Sequence, residues 1–179
     1  MIASSDINRL ASLGLDCWGA GRLEEARSHY LAALALIDPG HSAEPGLKGQ
    51  LAGVLAALGD VEGATAQYTQ AVDGELALGE ADGGIALLIA RYFLANHLVI
   101  AGAPEQALAA IAPSLAAKPD HWLTRVVQAE ALYALGRFAD SRDAAEAAVA
   151  RAPSAAKAQE LTLHLKAMLE GPGGSGEAG

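Results

Sequence analysis

Apolar residues along this chain recur at three- and four-residue spacing, in stretches of about a dozen, each cut off by glycine or proline. That is the period of one helix face. The first stretch carries Leu10, Leu13 and Cys17, then turns at Gly19-Ala20-Gly21. Leu23, Ala26, Tyr30, Ala33 and Leu34 follow as a facing stripe, and Asp38-Pro39-Gly40 ends it, because proline cannot continue a helix and glycine accepts the conformation beyond one. The pattern predicts a helical hairpin over about 5–37, its first helix capped by Ser4, Ser5 or Asp6. A linker over 38–45 follows.

The same phrase returns three times. GLKGQLAGVLAAL from Gly46 predicts a helix weakened by Gly49 and Gly53, each costing on the order of 1 kcal/mol against alanine. These two glycines, four apart on one face, would let another backbone approach. Gly59-Asp60 turns the chain, and a second helix runs from Val61 to about Leu78, ending at Gly79. Ile85 to Ala101 is apolar nearly all round, as in a helix covered on several sides. Gly102-Ala103-Pro104 then turns into a helix over 105–117, where Pro113 predicts a kink or a shortening. The fourth hairpin starts at Asp120 as a cap, turns at Gly136 and returns to Pro153. A last helix, 154–170, carries Leu161, Leu165, Met168 and Leu169 on one side, and the terminal GPGGSGEAG is expected to be disordered.

Aligning the turns gives the repeat. Gly21, Gly59, Gly102 and Gly136 are 38, 43 and 34 residues apart. Five residues on stand Ala26, Ala64, Ala107 and Ser141. Four further on are Tyr30, Tyr68, Ile111 and Ala145, and then Ala33, Ala71, Ser114 and Ala148. Small residues let paired helices touch, and the larger one fills the space between successive hairpins.

This pattern resembles the tetratricopeptide repeat, whose period of about 34 residues matches the last interval. The resemblance covers about 6–153. Its best copy is the first, with Leu13-Gly14, Gly21, Glu24-Glu25-Ala26, Tyr30 and Ala33. Elsewhere Ala52, Ala95 and Ala129 replace the small glycine, Gln128 replaces the leucine, and Leu10, Lys48, Arg91 and Arg125 stand at the early tryptophan position. The resemblance implies an all-α chain: a right-handed α-solenoid of about four helix-turn-helix repeats (6–39, 46–79, 84–119 and 120–153), a capping helix over 154–170 and a tail over 171–179.

Composition narrows the function. Alanine, with 42 residues, dominates an apolar share of 52%, and strand-favouring residues are few. The net charge is -9, the bases are scattered singly, and none falls between Gln50 and Ala90, so the basic stripe a nucleic-acid binder needs is missing. The acids of that interval read as a solvated face, with a docking face for a basic partner as the sharper alternative. One cysteine, Cys17, excludes an internal disulfide framework and suits a reducing compartment. MIASSDINRL has no leader pattern, and Arg91, Asn96 and His97 interrupt the most apolar stretch, so the expectation is a cytoplasmic protein without membrane insertion. The five histidines show no metal-ligand spacing, and there is no phosphate loop or nucleophile elbow. Neither catalysis nor a cofactor is expected.

In the tetratricopeptide family the first helix of each pair lines the ligand-binding surface. Carried across the alignment, those positions include Leu15 and Trp18, Gly49, Gln50 and Gly53, Ile89, Tyr92, Phe93 and Asn96, and Glu130 and Tyr133. The carboxylate clamp of some relatives is absent, since Ala11, Leu15, Gln50, Ile89 and Phe93 hold its positions. The resemblance therefore implies an adaptor holding a peptide or amphipathic helix in an apolar groove, with Trp18, Tyr92, Phe93, Asn96, Glu130 and Tyr133 as partner-binding residues. Two alternatives stand beside it. The protein's own second-repeat or C-terminal helix covers Tyr92, Phe93 and Tyr133, or the chain self-associates as a scaffold, as in a symmetric homodimer.

Overall fold

The computed structural model describes residues 4–171, and every regular element among them is a helix. In order these are α1 (Ser4–Gly19), α2 (Leu23–Leu34), α3 (Glu44–Ala57), α4 (Val61–Ala77), α5 (Ile85–Ile100), α6 (Pro104–Ala117), α7 (Trp122–Ala134), α8 (Phe138–Ala150), α9 (Ala155–His164) and α10 (Lys166–Glu170). The chain divides within α5 into two compact units, Met1–Phe93 and Leu94–Gly179.

One backbone device makes every hairpin. Gly21, Gly59, Gly102 and Gly136 all have positive φ, between 72° and 83°, where a side chain would be strained. At each, the glycine N–H bonds the carbonyl three residues back and the next N–H bonds the carbonyl five residues back. For α3 these are Gly59 to Ala56 at 3.0 Å and Asp60 to Leu55 at 2.9 Å; for α7, Gly136 to Tyr133 and Arg137 to Leu132, both at 2.9 Å. This closes the orphan carbonyls of the helix end. The same pair of bonds at Gly79 and Glu80 stops α4, as its glycine predicts.

In the first unit α1 packs on α2, α2 on α3 and α3 on α4. Its core joins Ile7, Cys17, Ala26, Tyr30, Ala33, Leu47, Leu51 and Val54. The small-and-large alternation follows the alignment: Ala26, Tyr30, Ala33 and Ala64 are wholly buried, as are Ala107, Ile111, Ser114, Ala145 and Ala148 in the second unit. Gly14 leaves room for Tyr30, whose ring carbons would lie 2.8 Å from a Cβ placed there. Burial, and then the Cys17 thiol, push the Tyr30 hydroxyl above its ordinary pKa.

In the second unit α6 packs on α7 and α7 on α8, while α9 and α10 fold back over α8. Leu161 and Leu165 join a core with Val126, Ala129, Leu132 and Ala144, and Met168 and Leu169 pack against it. Ser141, standing where the other hairpins have alanine, donates its hydroxyl to the Ala129 carbonyl at 2.8 Å, which satisfies its buried oxygen.

Several local expectations change. Ser4, Ser5 and Asp6 lie within α1 instead of capping it, and α2 stops at Leu34, before Asp38-Pro39-Gly40. Pro45 opens α3 instead of ending the linker, and it is buried; proline suits the first turn of a helix because no N–H is needed there. Of the two effects expected of Pro113, shortening does not occur, since α6 runs on to Ala117 with the proline inside it. The residue before α7 is His121, not Asp120, whose carboxylate instead pairs with Arg151 at 2.7 Å. The last helix is two, broken at the buried Leu165. The expected disorder of the tail concerns residues that, Gly171 apart, lie outside the described ones.

Candidate interaction surface

The first unit holds an apolar cavity of about 310 Å³. Helical periodicity assembles it from three stripes. α3 supplies Gly46, Gly49 and Gln50; α4 supplies Tyr68, Ala71 and Glu75; α5 supplies Ala86, Ile89, Ala90 and Phe93. Trp18, at the end of α1, and Pro45 complete the wall.

Its aromatic rings are held by packing. The Trp18 indole lies over Gly53, where any Cβ would run into Trp18 Cη2. Gly53 thus admits a side chain, not the second backbone that the sequence suggested. Gly49 and Gly46 are different, since a Cβ at either meets nothing within 4 Å. Tyr68 and Phe93 stack with centroids 6.5 Å apart and planes 7° apart. Tyr92 sits outside the lining, with its ring edge-on to Phe93 at 5.3 Å. The second-repeat helix α4 therefore does touch Phe93, through Tyr68, yet Phe93 keeps 47% of its surface exposed and Ile89 keeps 40%.

The cavity's carboxylate belongs to Glu75. Burial, and then the neighbouring Glu80, hold its carboxyl above the usual carboxylate range. Gln50 keeps its Oε1 buried with no hydrogen-bond partner among the described residues. At the end of α5's first turns, Arg91 is buried and pairs with Asp82 at 2.7 Å, so this charge is spent in holding the loop before α5.

Of the six predicted partner-binding residues, the structure brings Trp18 and Phe93 to one cavity and sets Tyr92 against Phe93. The other three belong to the second unit. Asn96 is half-buried on α5. Tyr133 meets Phe138 edge-on at 5.2 Å. Glu130 is half-buried and its Oε1 lies 2.7 Å from His164 Nε2, which brings the C-terminal helix α9 onto this position. Tyr68 is buried, as its inward position in the repeat implies, but neither it nor Glu75 was expected to line a cavity. The available signal was their spacing: 68, 71 and 75 fall on one face of α4, and an acid on an otherwise apolar stripe marks where that stripe leaves the core.

No family model matches the sequence, and no curated relative is significantly similar to it. Solved structures are similar in fold. The nearly identical TPR-like repeats of a kinesin light chain from Podosopora anserina superpose with a TM-score of 0.71 at 18% identity, covering 95% of this chain and 98% of that one. A tetratricopeptide repeat protein from Parabacteroides merdae gives 0.68 at 18% identity over 93% of this chain and 60% of its own length. MamA from Desulfovibrio magneticus RS-1, residues 41 to the end, gives 0.64 at 16% identity over 92% and 88%. The chain has a tetratricopeptide-repeat-like fold. At these identities the likeness is one of fold, and it agrees with the TPR-like pattern of the sequence. Among the described residues no helix is long and apolar enough to cross a membrane, and no group of three or more His, Cys, Asp or Glu could hold a metal ion.

Proposed function

We propose that this protein is a non-catalytic interaction module that holds a peptide or amphipathic helix of another protein against the apolar face of its TPR-like hairpins. The observation that carries this reading is the cavity walled by Trp18, Tyr68 and Phe93, with Ile89 and Phe93 left exposed beside it. Its volume lies at the low end of ligand pockets, about 300–1,000 Å³, which suits single anchoring side chains better than a whole cofactor. Trp18 and Phe93 serve as anchors and Tyr92 as the support that fixes the Phe93 ring.

Affinity capture from the native cell with the wild type and with a Tyr92→Asp, Phe93→Asp double variant tests it. The expected result is loss of the captured partner from a variant whose circular dichroism is unchanged. Full retention of every partner by the folded variant contradicts the reading.

A self-associating scaffold is the second reading, favoured by Ile100 and Leu163, which expose 77% and 72% of their surface. Light scattering separates the two. A mass that doubles with concentration supports the scaffold, and a constant monomer mass excludes it.

A further inference from the structure

Two features of the first unit's cavity are not explained by the packing of the protein itself. The first is its floor. Gly49 weakens α3 as a helix, yet nothing within 4 Å would oppose a Cβ there or at Gly46 in the first turn. Gly53, on the same helix, has a clear reason in the Trp18 indole. No contact in the fold calls for glycine at 46 or 49, and its smallness there leaves the cavity open down to the α3 backbone.

The second feature is charge. Glu75 lines the cavity but makes no ion pair or hydrogen bond through its side chain among the described residues. No base occurs between Gln50 and Ala90. The nearest bases in sequence on either side are engaged: Lys48 with Glu44 at 2.7 Å and Arg91 with Asp82 at 2.7 Å. A partly buried carboxylate thus lines the same cavity as three aromatic rings, with no counter-ion paired to it among the described residues. An aromatic face attracts a cation through its quadrupole, and a carboxylate in a partly desolvated site does so more strongly.

We propose that the anchor this cavity accepts is a lysine side chain on an apolar segment of the partner, with its methylene stem along Trp18, Phe93 and the Gly46–Gly49 floor and its ammonium at Glu75. The inference rests on the reading of the chain as an interaction module. A lysine suits the site because it offers one compact charge to one carboxylate and a long apolar stem to the walls. The charge would also relieve the raised carboxyl of Glu75 that burial and Glu80 produce.

The test uses the full-length protein labelled with nitrogen-15 and three probes of equal chain length: n-pentylammonium, n-pentanol and pentanoate. Amide shifts of Gly46 and Gly49 and the Trp18 indole N–H report binding. The expected result is that n-pentylammonium saturates at a concentration roughly fivefold lower than n-pentanol, the size of a modest cation–π and carboxylate preference, with pentanoate weakest. In Glu75→Gln the preference disappears while n-pentanol still binds. In Gly49→Leu, which fills the floor, none of the three probes binds. Equal saturation by n-pentylammonium and n-pentanol overturns the inference but leaves an apolar anchor, and so the interaction reading, intact. Failure of all three probes to shift the wild-type signals overturns the cavity as an anchor site altogether. The source of the cation is decided by a 15-residue leucine- and alanine-rich peptide with a central lysine, compared with its norleucine counterpart. Tighter binding of the lysine peptide supports the proposal. Binding of free n-pentylammonium without binding of the lysine peptide assigns the cavity to a small organic cation and overturns the peptide source.

Discussion

Gly49 and Gly53 stand one helical turn apart on α3 and answer opposite demands. At Gly53 a methyl group would collide with the Trp18 indole, whereas at Gly49 it would enter open space. Gly49→Ala is therefore expected to stabilise the protein by about 0.5–1 kcal/mol through helix propensity, while Gly53→Ala destabilises it by about 1–3 kcal/mol through overpacking. Midpoints of urea denaturation for the two variants check this, and equal signs would refute the assignment of roles. The sequence showed both residues as interior glycines and could not separate them, because what a glycine admits depends on which neighbour arrives. His121 supplies a second residue-scale prediction. Burial, and then Lys118, lower its pKa below the imidazole norm, while its Nδ1 stays 2.7 Å from the Thr124 hydroxyl at the start of α7. A lowered folded pKa means that the unfolded chain takes up the proton first, so this contribution to stability is present above the unfolded value of about 6.5 and is lost as pH falls through it toward the folded value. The urea midpoint should drop between about pH 7 and pH 5, and a His121→Asn variant should drop less. An identical pH profile in the variant would remove His121 as the cause.

At the scale of the element, the hairpins were legible because one local device builds them all. The positive-φ glycine with its two backward hydrogen bonds depends on residues within five positions of each other, and so it shows in sequence as Gly21, Gly59, Gly102 and Gly136. The small residues five and twelve positions later are equally local in origin and are buried as the alignment requires. What could not be read was how a helix end responds to its surroundings. Leu165 breaks the last helix into α9 and α10 and is wholly buried, held by the core of α7 and α8 rather than by any nearby turn residue. Leu165→Ala should cost about 2–5 kcal/mol, as large buried side chains do, and should release the α9–α10 cap from the second unit. Hydrogen exchange of the α9 amides checks this. Protection unchanged from the wild type would show that the cap is fixed by other contacts, such as His164 with Glu130 at 2.7 Å.

For the whole molecule, the candidate site was legible only in part. Trp18 and Phe93 came from carrying family positions across the alignment, and the structure joins them in one cavity. Tyr68 and Glu75 did not, because they lie on a second helix of a pair, where the family's pattern assigns core positions. Asn96, Glu130 and Tyr133 fall in the second unit, and Glu130 is engaged by His164 of the C-terminal helix. On the proposed function the partner's anchor binds in the first unit, at a cavity left open by glycines that cost α3 some helix stability. Affinity capture with a Gly49→Leu variant tests this claim most directly, because the change fills the cavity floor at a site where the fold has room for it. The account predicts a variant that melts at or above the wild-type temperature and loses the captured partner. A folded Gly49→Leu protein that retains the partner at wild-type level would contradict it.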